Sequence, residues 1–127
     1  MKHQIDSVKK FHEVYKLSYK HSPSVDLDHD KLQLRHSLMS EENDEYLEAA
    51  KNNDLIEVAD ALGDMLYILC GTIIEHGMQN KIEEVFDEIQ KSNMSKLGSD
   101  GKPIYRKDGK VLKGPNYFKP NILKILS

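Results

Sequence analysis

The chain reads as all-α: a four- to five-helix bundle with a C-terminal hairpin and loop tail, oligomeric in its working form. Three observations predict this. Apolar residues recur at helical spacing in successive segments up to about Leu97, each bounded by capping or breaking residues. One of these segments, Leu55 to Glu75, is apolar on nearly every side. Past Gly98 the pattern changes to short β-like runs around an Asp-Gly pair. The 127 residues suit a single domain, with a helical part over about 7–98 and a tail over about 99–127.

The first helix is expected from about Ser7 to Tyr19, with Asp6 or Ser7 as N-cap and a loose stripe of Val8, Phe11, Val14, Tyr15 and Leu17. His12 lies beside the stripe. Such a histidine is more often a surface or capped residue than a ligand; a substrate contact is the alternative. Pro23, within His21-Ser22-Pro23-Ser24, closes the helix because the residue before a proline avoids helical geometry. The second helix starts near Asp26 or Asp28 and runs to about Asn52, with Leu32, Leu34, Leu38 and Leu47 as apolar positions. Asp54 caps the third, which extends to about Glu75 and ends at His76-Gly77, glycine being favoured just past a helix C-terminus. The fourth spans about Asn80 to Leu97 with a stripe of Ile82, Val85, Phe86, Ile89 and Met94, and Gly98 ends it. In the tail, Pro103 to Leu112 carries the hairpin signal at Asp108-Gly109. Gly114 to Pro120 reads as loop, and Asn121 caps a last short turn, Ile122 to Leu126.

Composition narrows the function. The net charge of −3 and a pI near 6 argue against nucleic acid or an anionic membrane as the main partner. No apolar run has membrane-spanning length, and the opening Met1-Lys2-His3-Gln4-Ile5-Asp6 is polar, unlike a signal peptide. The lone Cys70 falls in the apolar helix, where it reads as a small buried hydrophobe; with no internal disulfide possible, a reducing cytoplasm fits.

The chemistry concentrates between Glu41 and Asp64. Glu41, Glu42, Asp44, Glu45 and Glu48 crowd eight residues of the second helix, and Glu57, Asp60 and Asp64 step by three and four along the third. Like charges at that spacing destabilise a helix by a few tenths of a kcal/mol per pair, so two adjacent runs suggest a cation between them. Mg²⁺ is the natural choice, a hard ion held by carboxylates and substrate phosphates, with Mn²⁺ a possible substitute. A solvated acidic face is the bland alternative. Against it, Glu42 and Glu45 share a face with Leu34, Leu38 and Ala49, and the third-helix acids interrupt an otherwise apolar segment expected to be buried. Arg35 could instead pair with the cluster as a salt bridge.

Glu41-Glu42-Asn43-Asp44-Glu45 followed by a Glu-x-x-Asp helix resembles the all-α NTP pyrophosphohydrolases, the group of MazG-like proteins, dimeric dUTPases and phosphoribosyl-ATP pyrophosphohydrolase. The likeness is greatest to small phosphoribosyl-ATP pyrophosphohydrolase-like proteins. It extends over Phe11-His12, Leu32 to Ala49, Val58 to Gly77, Ser92 to Leu97 and Lys113-Gly114-Pro115-Asn116-Tyr117. The resemblance implies a dimeric or tetrameric helical bundle and Mg²⁺-dependent cleavage of a nucleotide between its α and β phosphates. It implies Glu42 and Glu45 as metal ligands, with Glu41 a ligand or the base that activates water. The second pair is read two ways. Glu57-Val58-Ala59-Asp60 fits the motif literally but follows Glu45 after only eleven residues. Alignment on Leu62-Gly63-Asp64 makes Asp64 the ligand and leaves Ala61 where the family often has glutamate, with Asp60 supplying the missing carboxylate. Asp60 and Asp64 are favoured, Glu57 standing close by. Asn93 and Lys96 would contact phosphate, and Arg106, Lys113 and Tyr117 could close over the nucleotide or merely cover the bundle.

Two other classes compete. A di-iron carboxylate bundle wants Glu-x-x-His on two helices, and this chain has none; Asp26-x-x-His29 is its nearest form. A non-enzymatic nucleotide- or metal-binding bundle would use the same pocket. Phosphoribosyl-ATP hydrolysis in histidine synthesis is a third possibility, and base specificity is not encoded in any recognisable stretch.

Overall fold

Five helices follow one another: α1 (Lys2–Val14), α2 (His29–Lys51), α3 (Leu55–Glu75), α4 (Ile82–Met94) and α5 (Ile122–Leu126). A computed structural model describes all residues, 1–127. The chain divides into two compact units, Met1–Asn80 and Lys81–Ser127. The fourth helix therefore groups with the tail rather than with the first three.

In the first unit α3 is the axis, with α1 and α2 both packed on it. α1 begins and ends about five residues earlier than the sequence predicts. Its buried stripe starts at Ile5 and Val8, and its first turn is fastened by the Lys2–Asp6 ion pair at 2.8 Å. Asp6 and Ser7 are thus not caps: Asp6 accepts from Lys2, and the Ser7 hydroxyl donates to the His3 carbonyl. Lys16, at φ 59°, turns the chain out of the helix, leaving Val14 and Tyr15 exposed.

The caps of α2 and α3 form as expected. Asp28 accepts from the Lys31 N–H at 3.2 Å, and Asp54 from the Glu57 N–H at 3.1 Å. At the far end of α3, Gly77 sits at φ +69°, and a Cβ there would fall 2.1 Å from the Ser22 carbonyl oxygen, so glycine is required for both conformation and space. That close approach straps the 17–27 loop to α3: Lys20 N–H donates to the Ile74 carbonyl, Ser24 N–H to the His76 carbonyl, and the Gln79 amide to the Lys20 carbonyl.

The expectation that α3 is buried along its length fails for its N-terminal half. Cys70, Gly71 and Ile73 to Glu75 are buried, but Leu55 and Ile56 are 78% and 80% exposed, and Leu62, Leu66 and Leu69 are also exposed. α1 and α2 cover two sides of α3, and a helix apolar all round has a third. No helix is long and apolar enough to cross a membrane.

In the second unit α4 is shorter than predicted, starting at Ile82 and capped at Ser95. The hairpin forms no strands. It is a single antiparallel bridge, Tyr105 to Val111, closed by Arg106 N–H on the Lys110 carbonyl, with Gly109 at φ +92°. α5 packs with α4, and Asn121 caps it by accepting from the Lys124 N–H.

Candidate functional site: the acidic seam of α2 and α3

The face that α2 turns to α3 carries Arg35, Leu38, Glu42 and Ala49; α3 answers with Val58, Ala61, Met65, Ile68 and Thr72, all buried or half-buried. The helices run antiparallel. Arg35 reaches the Ile68 carbonyl and the Thr72 hydroxyl near one end, both at 3.1 Å, while Glu42 faces Asp60 and Asp64 nearer the other.

Glu42 is the electrostatic centre of the seam. It is half-buried, and its Oε2 is sealed from solvent with no hydrogen-bond partner. Its carboxyl is pushed above its ordinary value of 4.5, first by desolvation, then by a hydrogen bond with Glu45, then by the charges of Glu45, Asp64 and Asp60. Three predicted ligands, from both helices, therefore act on the fourth. Glu45, Asp60 and Asp64 are exposed, and Asp60 and Asp64 make no hydrogen bond or ion pair that would tie them down. No three acidic, histidine or cysteine side chains stand close enough, as placed, to share one ion. Binding a cation thus requires these free carboxylates to swing inward. The donor set fits a hard divalent ion: oxygen ligands only, with one sheltered acceptor lacking a partner. Ala61 is 1% exposed between the helices, so α3 offers its acids from the flanking positions 60 and 64.

Glu57 adjoins the cluster on the side of Glu45. It lines a cleft of about 320 Å³ with Glu45, Glu48, Ala49, Asn52 and Asp54. Glu48 and Asp54 were not foreseen as lining residues, although Glu48 follows Glu45 by three. Glu41 is exposed beside Glu42 and has no partner.

Arg35 does not pair with the cluster. Its Nε lies 3.7 Å from Glu75 Oε2, and Lys31 Nζ lies 3.9 Å from Glu75 Oε1. His12, placed beside the stripe by the sequence, is in the interior at 2% exposure, with Nδ1 3.3 Å from the Ser18 carbonyl oxygen. A Cβ at Gly71 would fall 2.9 Å from an Arg35 guanidinium nitrogen and 3.3 Å from His12 Nε2, so Gly71 leaves room for both the guanidinium and the imidazole. Cys70 is fully buried, and burial raises its thiol pKa, as expected of a structural cysteine.

In the second unit Asn93 is exposed at the end of α4 and Lys96 is half-buried just past it. Lys113 Nζ stands 4.8 Å from the Tyr117 ring centroid, a cation–π contact. Arg106 is engaged by Asp108 in the hairpin turn, Nε to Oδ1 at 2.8 Å.

Such a fold and seam define an all-helical protein with carboxylates from two helices gathered around Glu42. The sequence profile of the family described as phosphoribosyl-ATP pyrophosphohydrolase matches residues 8–93, more than half of the chain. The chain belongs to that family. Among solved structures it is similar to a putative NTP pyrophosphohydrolase from Exiguobacterium sp. 255-15, at 24% identity, covering 94% of this chain and 90% of that one with a TM-score of 0.49. No curated protein matches it in sequence.

Proposed function

We propose that the protein is a Mg²⁺-dependent nucleotide pyrophosphohydrolase that cleaves a nucleoside triphosphate or related nucleotide between its α and β phosphates, releasing a monophosphate and pyrophosphate. One observation carries the reading: Glu42, half-buried, with an acceptor lacking any partner and facing only other carboxylates. Glu42, Glu45, Asp60 and Asp64 would hold the metal, with Glu57 at the edge of the set. Bound there, Mg²⁺ (or Mn²⁺) would supply neutralisation of the charge that develops on the phosphate oxygens. Glu41, not committed to any partner, orients the attacking water and accepts its proton. Lys96 presents an ammonium to phosphate and Asn93 an amide donor. Lys113, Tyr117 and Arg106 are proposed as further contacts to the nucleotide. His12, being interior, supports the α1–α3 packing instead of touching substrate.

The working form on this reading is a homo-oligomer in a reducing cytoplasm. Leu55, Ala59, Leu62, Leu66 and Leu69 repeat by four and three along an exposed side of α3, a seam that a second copy of the same helix can fill about a two-fold axis. Sedimentation equilibrium at micromolar concentration should give at least a dimer; an active species of monomer mass would refute it.

The reaction is tested by incubating a panel of nucleotides, phosphoribosyl-ATP among them, with Mg²⁺ and identifying the products. Monophosphate and pyrophosphate are expected. Diphosphate with orthophosphate would overturn the reading, and tight binding without turnover would favour a non-enzymatic nucleotide binder.

A further inference from the structure

Two sequence motifs outside the acidic seam, around Ser92 to Leu97 and around Lys113 to Phe118, are fastened to each other. Ser92, 2% exposed, donates from Oγ to the Phe118 carbonyl at 2.8 Å. Ser95 Oγ accepts the Phe118 N–H at 3.1 Å and donates to the Ser92 carbonyl at 2.5 Å. The Gly114 N–H donates to the Lys96 carbonyl at 2.8 Å. A Cβ on Gly114 would fall 1.9 Å from the Leu97 carbonyl oxygen, a backbone atom that cannot swing aside, so only glycine permits the approach.

These bonds make the backbones of Lys96 and Lys113 neighbours, and the Lys113 ammonium is itself held over Tyr117. Neither 92–98 nor 109–120 contains an acidic residue, in a chain whose net charge is −3. A cation already fixed in place loses less freedom on binding an anion than one on a free loop. The serine hydroxyls hold the Phe118 backbone against the end of α4, and with it the segment that carries Lys113 and Tyr117.

We propose that Ser92, Ser95 and Gly114 are positioning residues that assemble Lys96 and Lys113 into a corner gripping the phosphate chain of the substrate. The assignment rests on the nucleotide reading above and adds to it how the phosphate-facing residues are placed.

The test is calorimetric titration of the full chain with inorganic pyrophosphate in the absence of divalent metal, beside steady-state kinetics with nucleotide and Mg²⁺. Wild type binds pyrophosphate. Ser95→Ala weakens binding about tenfold, in line with the loss of a hydrogen bond and the stranding of its partner. Ser95→Thr, which keeps the hydroxyl, restores it, and Gly114→Ala abolishes it. In kinetics Ser95→Ala raises KM and leaves kcat unchanged, a split that general loosening of the fold would not give. A folded Ser95→Ala that binds and turns over like wild type overturns the proposal, as does a wild type that does not bind pyrophosphate. If pyrophosphate binds with the Ser95 dependence but no nucleotide is hydrolysed, the corner stands and the reaction falls. If nucleotides are hydrolysed with KM indifferent to Ser95, the corner alone falls.

Discussion

Glu75 and Glu42 occupy the same seam between α2 and α3, one from each helix, toward its opposite ends. Each has an Oε2 shut from solvent without a hydrogen bond. Their surroundings differ. Glu75 is 4% exposed and is met by two cations of the same chain, Arg35 at 3.7 Å and Lys31 at 3.9 Å. Glu42 is met by Glu45, Asp60 and Asp64, all of its own sign, and its pKa rises. The comparison teaches how to separate structure from site in an acidic protein. A sheltered carboxylate answered by the chain's own cations is part of the fold. One answered only by carboxylates, in a family of pyrophosphohydrolases, is what the proposed cation site is built on.

The largest expected effect breaks the first half of that comparison. Arg35→Met leaves Glu75 with Lys31 alone, at 3.9 Å, and stripping one partner from a buried pair costs up to about 3–5 kcal/mol. Urea unfolding should show a loss of that order, with little change in slope. A loss near zero would mean Glu75 does not depend on Arg35.

Glu42→Gln should do the reverse. It removes a like-charge conflict, so the metal-free protein keeps or gains stability. The same change should cost metal affinity more than the roughly 10- to 100-fold typical of losing an outer-shell partner. Asp64→Asn and Asp60→Asn should follow it, and unchanged affinity in both would move the ligands toward Glu57.

pH sharpens the contrast. Folding raises the Glu42 pKa, so the folded state binds the proton more tightly than the unfolded chain does. Its contribution to stability is present below its ordinary 4.5 and is lost as pH rises through the elevated value. Thermal melts of the metal-free protein across that window should show this decline, absent in Glu42→Gln and relieved by Mg²⁺ at the upper end.

The smallest structural effect belongs to Glu41→Gln, since Glu41 is exposed and unpaired. The melt should not move and metal affinity should hold, while turnover is lost. Loss of affinity equal to that of Glu42→Gln would make Glu41 a ligand.

What could be read in the sequence was local. Asp28, Asp54 and Asn121 cap helices because capping needs only a side chain and an N–H two or three residues on. The seam was legible as spacing: acids at three- and four-residue steps on consecutive helices meet if the helices are antiparallel. What failed was long-range. α4 stops at Met94, and Ser95, just past it, is engaged by Phe118, far along the chain. Arg35 turned to Glu75, a partner forty residues away that no spacing singles out. His12 went inside because Gly71 leaves it room. α1 began early because Lys2, His3 and Gln4 hide a stripe that starts at Ile5. The apolar wrap of α3 said that something must cover it, but composition does not say whether the cover comes from the same chain.

The most direct measurement of the seam's role is calorimetric titration of Mn²⁺ into the intact protein and into its Glu42→Gln variant at neutral pH. The account predicts saturable binding in the wild type that is lost in the variant, with both proteins equally folded by circular dichroism. Equal binding in the two, or none in either, would contradict it.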